Sequence, residues 1–100
     1  MKLSINTANN EQILITVNGV SYETSAKKDK SQKLLPFISE TLASLGLTLE
    51  DLSEIEVHPG PGSFTGLRVG VTVAQTLGYM LGIPVNGEMM DKTYFVKINY

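Results

Sequence analysis

The stretch EIEVHPGPGSFTGLRVG, residues 54–70, decides how the rest of the chain is read. Ile55 and Val57 alternate with Glu54, Glu56 and His58, the period-two pattern of a half-buried strand over residues 54–58. Pro59 to Gly66 then forms a glycine-rich turn, and the run from Leu67 to Gly82 predicts a helix of roughly sixteen residues, about 24 Å long. A glycine-rich turn between strand and helix is a place where free amides and the helix dipole attract anions. Gly60, Gly62, Ser63, Thr65, Gly66 and Arg68 are therefore the candidate anion- or nucleotide-binding residues. The segment lacks the Lys-Ser/Thr ending of a P-loop and the spacing of a dinucleotide fingerprint. Arg68, the only arginine, could serve a phosphate or an acidic partner, or pair with Glu54 or Glu56.

Behind the turn, Gly66, Gly70, Ala74, Gly78 and Gly82 recur every four residues, a stripe without side-chain bulk. Glycine inside a helix costs about 0.5–1 kcal/mol relative to alanine, so the stripe implies close approach of a strand, a helix or a loop. Val69, Val73, Leu77 and Leu81 run beside it and are expected on the sheet or on a second helix. The helix is read either as core alone or as core and subunit interface together.

Working toward the N-terminus, Leu34, Leu35, Ile38, Leu42 and Leu45 recur at three and four residues and predict an amphipathic helix that ends at Gly46. Pro36 sets its start near Leu35 or bends its first turn. Ala26 to Lys30, with Lys27, Lys28, Asp29 and Lys30, reads as a solvated loop rather than an RNA contact, since no aromatics interleave the lysines. Lys2–Asn6, Gln12–Val17 and Val20–Ser25 read as three strands, with an Asn18-Gly19 hairpin turn that needs positive φ at both positions. Thr48 followed by Glu50 and Asp51 marks a short helix. Toward the C-terminus, residues 83–85 form a further short strand, and residues 94–98 have strand character without an evident partner.

One hundred residues and 10.9 kDa hold a single modest core, so an isolated chain has thin stability. Without cysteine, and with His58 as the sole histidine, disulfide frameworks and thiolate or histidine metal clusters are excluded and a reducing compartment is expected. A net charge of -2 and a pI near 5.2 provide no basic field for nucleic acid or anionic lipid. The most apolar stretch, residues 69–83, is interrupted by Gly70, Gln75, Gly78 and Gly82 and is short of a membrane span, and the N-terminus is unlike a secretory leader. A cytoplasmic protein is expected. No Gly-x-Ser-x-Gly elbow surrounds Ser63, and His58 has no evident orienting carboxylate, so no catalytic residue is assigned.

The ordered series Asn6-Thr7-Ala8, Ser31 to Pro36 (SQKLLP), Leu47 to Leu52 (LTLEDL), Gly60 to Arg68 and Gly82 to Val85 resembles the N-terminal lobe of the bacterial TsaB (YeaZ) family over residues 1–87. The resemblance implies an α/β fold: a single actin/Hsp70-like, ribonuclease-H-type lobe, with an antiparallel three-stranded meander followed by helix, strand, helix and strand. It implies a non-catalytic scaffold in making threonylcarbamoyladenosine (t6A) on tRNA, paired with a TsaD-like catalytic subunit and joined by a TsaE-like ATPase. tRNA is then met only indirectly, and a homodimer is expected when the chain is alone. Carried onto this chain, the pairing surface comprises Leu34, Leu35, Ile38, Leu42, Val69, Gly70, Val73, Ala74, Leu77 and Gly78.

Asn6 stands where that family commonly has Asp, which lowers the expectation of metal or nucleotide chemistry, and neither a metal nor a cofactor is expected. The chain stops where a second lobe would begin, so half a cleft is expected, and residues 88–100 are left unassigned or as an added strand. The alternative reading is a small phosphate- or nucleotide-binding module that uses the glycine-rich turn and Arg68.

Overall fold

The computed structural model describes residues 1–9, 11–26 and 29–89, with the Phe64 side chain left out. Strands β1 (Lys2–Asn6), β2 (Gln12–Val17) and β3 (Val20–Ser25) form the expected meander with the expected bounds. Asn18 and Gly19 take φ of 52° and 79°, which closes the two-residue turn between β2 and β3. Helix α1 (Lys30–Ser44), a 3-10 turn (Leu49–Asp51), β4 (Glu54–Val57), helix α2 (Phe64–Leu81), β5 (Pro84–Val85) and β6 (Glu88–Met89) follow.

The six strands make one mixed sheet in the order β3-β2-β1-β4-β5-β6. β1 lies inside it, antiparallel to β2 and parallel to β4. β5 runs parallel to β4 and β6 antiparallel to β5. Alternation sends Leu3, Ile5, Ile13, Ile15, Val17, Ile55, Val57 and Val85 to one face, where Leu34, Ile38, Leu42, Val71, Ala74 and Leu77 from the two helices complete the core. The other face carries Lys2, Ser4, Asn6, Thr16, Glu54 and Glu56 around a concavity of about 560 Å³. Lys2 and Glu56 pair across it at 2.8 Å.

Several expectations are corrected. α1 begins at Lys30, not near Leu35, and holds Pro36 in its interior. The amide that Pro36 lacks would have met the carbonyl of Gln32; both residues are exposed, so the missing bond falls on the solvent side, where water can replace it. Residues 26–30 are not a solvated loop throughout: Ala26 is buried and Lys30 is only 6% exposed, while Lys27 and Lys28 lie outside the described residues. α2 begins at Phe64, three residues earlier than its apolar pattern, and β4 stops at Val57. The strand reading of residues 94–98 lies outside the described residues.

α1 ends as Gly46 predicts. Its φ is 75°, its amide donates to the Ala43 carbonyl at 3.0 Å, and the Leu47 amide donates to the Leu42 carbonyl at 2.8 Å. This pair of bonds is the Schellman closure, which satisfies two carbonyls that the last turn would leave open. Asp51 takes the Thr48 amide at 2.8 Å at the start of the 3-10 turn, as an acid in a first turn should.

The list of pairing residues divides. Leu34, Ile38, Leu42, Ala74 and Leu77 sit in the chain's own core, and Gly70 and Gly78 are buried, so none of these seven is available at the surface of the folded lobe. Leu35, 42% exposed, and the half-buried Val69 and Val73 remain on the outer surface. The physical reason is the width of the apolar stripe: a helix on a sheet spends its whole apolar arc on that sheet, and only the flanks are left over.

Candidate functional site

The parallel arrangement of β1 and β4 brings the end of β1 to the first turns of both helices. Thr7 follows Leu3 and Ile5 on the buried face and is itself buried. Its hydroxyl donates to the Gly66 carbonyl in the first turn of α2. A Cβ on Gly66 would overlap the Thr7 carbonyl, and one on Gly70 would overlap the Thr7 hydroxyl oxygen. The small-residue stripe is therefore explained inside the lobe: at Gly66 and Gly70 it admits the end of a strand. Gly82, the last member, ends α2 with φ of 67°.

The glycine-rich turn is stitched to the same strand end. The Ser63 amide donates to the Ala8 carbonyl at 2.9 Å, and Gly62 lies so close to Ala8 that any side chain there would collide with it. Ser63 caps α2: its hydroxyl oxygen accepts from the Gly66 amide at 3.3 Å. Gly60 adopts φ of 125° and its bond to Pro61 is cis. Of the six candidate anion-binding residues, Gly62, Ser63 and Gly66 are thus brought together at the end of β1, with the Ser63 and Gly66 amides already engaged inside the protein. Thr65 and Arg68 face outward on α2, along a different surface.

Lys30 is the residue that sequence reasoning missed. It is buried at the start of α1, and its ammonium donates to the Asn9 carbonyl and, at 3.4 Å, to the Thr7 carbonyl. Burial pushes its pKa below the ordinary lysine value. A signal existed: Leu34, Ile38 and Leu42 recur every four residues, and one step back along that row lands on Lys30. Asn6 folds its side chain onto its own loop, accepting from the Ala8 amide at 3.0 Å. His58 continues β4 by donating its amide to Ile5 at 2.9 Å and lines the concavity on the polar sheet face. Among the described residues there is no group of three acids or histidines able to hold a metal ion.

A second surface lies on the far side of the helices. Ser31 from α1 and Thr65, Arg68, Val69, Thr72 and Val73 from α2 line a groove of about 480 Å³. Leu35 lies beyond Ser31 on α1, and Met80, 74% exposed, lies farther along α2. No helix among the described residues is long and apolar enough to cross a membrane.

Residues 2–88 match the family model described as TsaD, tRNA N6-adenosine threonylcarbamoyltransferase. The chain is 43% identical over 65 residues to the tRNA threonylcarbamoyladenosine biosynthesis protein TsaB of Bacillus subtilis (strain 168), a match that covers 65% of this chain and 28% of that protein. It is 42% identical over 62 residues to the tRNA N6-adenosine threonylcarbamoyltransferase of Nitrosospira multiformis, covering 62% of this chain and 18% of that one. In structure it superposes on YeaZ from Pseudomonas aeruginosa with a TM-score of 0.71 at 28% identity, over 84% of this chain and 41% of the other. The chain thus spans less than half the length of each of these relatives.

Proposed function

The chain belongs to the tRNA N6-adenosine threonylcarbamoyltransferase family, on its TsaB/YeaZ side, and from that premise we propose that it is a non-catalytic scaffold lobe in tRNA threonylcarbamoyladenosine biosynthesis. Its task is to pair, through the outer surface of α1 and α2, with a TsaD-like catalytic subunit or with a second copy of itself. One observation carries the reading: the groove lined by Ser31 of α1 and by Thr65, Arg68, Val69, Thr72 and Val73 of α2, where Val69 and Val73 stand half-buried and Arg68 is the one charged residue of that lining. Half-buried aliphatic side chains in a groove are the anchors that a partner helix can cover.

The non-catalytic part rests on the strand end. There, main-chain carbonyls, the Thr7 hydroxyl and the Lys30 ammonium bond to one another, so these polar groups hold the lobe together. Asn6 also supplies an amide, already bonded to Ala8, rather than a carboxylate.

Co-purification with a TsaD-type protein, followed by sedimentation of the chain alone and of the mixture, tests the proposal. A faster-sedimenting species is expected in at least one of the two, and it should be lost when Val69 or Val73 is replaced by Arg. A chain that stays monomeric in both would overturn it.

A further inference from the structure

Two Asn-Gly pairs occur in the sequence, Asn18-Gly19 and Asn86-Gly87, and each closes a two-residue turn between antiparallel strands. Their backbones are closely alike, with φ of 52° and 79° in the first and 50° and 82° in the second. All four residues are exposed, and open space surrounds both glycines where a Cβ would stand. The difference lies in the asparagine side chains. The Asn86 oxygen accepts from the Val57 amide at 2.8 Å, its side-chain nitrogen donates to the Val57 carbonyl at 3.0 Å, and its main-chain amide donates to the Ile55 carbonyl at 2.9 Å. The Asn18 side chain has no hydrogen bond among the described residues.

An asparagine before glycine has a reaction open to it that bulkier neighbours hinder, because a glycine nitrogen has no Cβ beside it to obstruct an approach. Once base has removed its proton, the nitrogen of Gly19 attacks Cγ of Asn18. A bond forms between that nitrogen and Cγ, the bond from Cγ to the side-chain nitrogen breaks, and ammonia leaves a five-membered succinimide ring. Water then opens the ring. Attack at Cγ returns an ordinary aspartate, whereas attack at the main-chain carbonyl gives isoaspartate, whose main chain runs through Cβ and Cγ and is longer by one atom. Asn6 and Asn9 precede Thr7 and Asn10 instead, and their side-chain oxygens already accept from the Ala8 and Glu11 amides.

We infer that Asn18 is a site of spontaneous succinimide formation and isoaspartate accumulation, and that Asn86, the same dipeptide in the same turn, is shielded by its bonds to Val57. For ring closure, Cγ must swing round to the nitrogen of the next residue. At Asn18 the turn is restrained only by the Val17–Val20 rung at the end of a hairpin whose outer strand, β3, is a sheet edge, and such ends open locally at little cost. At Asn86 two side-chain bonds must break first. Each is worth about a factor of five, so together they slow the reaction there roughly thirtyfold relative to Asn18.

The two products differ in their effect on the fold. Asp-Gly suits the same turn as Asn-Gly, so aspartate at position 18 preserves the hairpin. Isoaspartate lengthens the turn and offsets Val17 from Val20, loosening β3 from β2, its one sheet neighbour among the described residues. The free α-carboxylate of that product is the group that an isoaspartyl carboxyl methyltransferase recognises, which provides a specific label.

The test incubates folded full-length protein at mildly alkaline pH and follows the peptides of residues 3–27 and 69–92, released by cleavage after lysine and arginine, by mass and fragmentation. Conversion at Asn18 should run roughly thirtyfold ahead of Asn86 in the folded protein, and the two rates should converge in urea. An isoaspartyl methyltransferase with a labelled methyl donor should mark the peptide of residues 3–27. No conversion at Asn18, or equal rates in the folded protein, overturns the proposal. A disparity that persists unchanged in urea assigns it to local sequence and overturns the shielding by Val57. Asn18→Asp should unfold at the wild-type temperature and the isolated isoaspartyl form at a lower one. An isoaspartyl form as stable as the fresh chain overturns the loosening of β3.

Discussion

The Thr7 hydroxyl donates to the carbonyl of Gly66, a residue 59 positions away, and this bond ties the end of the central strand to the first turn of the second helix. Gly66 is closed against the Thr7 backbone and Gly70 against the Thr7 side chain, so the two glycines face different penalties.

Gly66→Ala must displace backbone, and we expect it to cost about 2–3 kcal/mol, the upper part of the range for overpacking. Gly70→Ala meets only a side chain that can rotate, and a helix gains about 1 kcal/mol from Gly to Ala, so its net cost should be about 1 kcal/mol. Urea unfolding should rank them in that order. Adding Thr7→Ala should relieve Gly70→Ala but not Gly66→Ala.

Lys30→Met removes the donor that serves Thr7 and Asn9 and leaves their carbonyls unmatched, at an expected cost of about 1–3 kcal/mol near neutral pH. The pH dependence follows from the lowered pKa of Lys30. Between its folded value and 10.5 the unfolded chain binds more protons, so this residue's contribution to stability rises with pH through that window. Wild-type stability minus that of Lys30→Met should therefore increase as pH climbs toward 10.5. A flat or falling difference would show that the ammonium is not desolvated.

Asn86 accepts from the Val57 amide at 2.8 Å and donates to the Val57 carbonyl at 3.0 Å, so a side chain continues the β4–β5 ladder where the backbone turns away. Asn86→Ala should cost about 1–2 kcal/mol and Asn86→Asp a similar amount, since the acid sets oxygen against the Val57 carbonyl. Hydrogen exchange offers the local readout: protection of the Val57 amide should fall in the alanine variant and persist in part in the aspartate variant.

Leu34 and Leu35 are neighbours with opposite roles, 0% and 42% exposed. Leu34→Ala should cost about 2–5 kcal/mol, as for a buried leucine, whereas Leu35→Ala should change stability by less than about 1 kcal/mol and weaken helix-face pairing. Thermal unfolding and sedimentation of the two variants separate the effects.

Much of the fold is legible in the sequence because its strands carry their own punctuation. β2 and β3 alternate around an Asn-Gly pair whose positive φ values fix the turn, and Gly46 ends α1 where the apolar spacing stops. What escapes sequence reading depends on distance along the chain. The four-residue stripe on α2 shows that something must come close, but Thr7 is too far away in sequence to be recognised as that neighbour. Lys30 is hidden for another reason: it sits in a polar run, and only its place in the Leu34-Ile38-Leu42 row marks it as buried. The glycine-rich turn is legible as a turn, yet its Ser63 and Gly66 amides are engaged by Ala8 and Ser63, partners that only the fold reveals.

The placement of β1 has a consequence for the order in which the protein is made. Its antiparallel neighbour follows within a few residues, but its parallel neighbour is offset by about fifty, with Lys2 aligned to Glu54. At roughly 5–20 residues per second, ribosomal synthesis leaves one side of the central strand without a mate for on the order of several seconds. During that interval β1, β2, β3 and α1 have been made but β4 and α2 have not, so Leu3 and Ile5 lack the cover that α2 provides, and the nascent chain's exposure to chaperones and to misassembly should be greatest then.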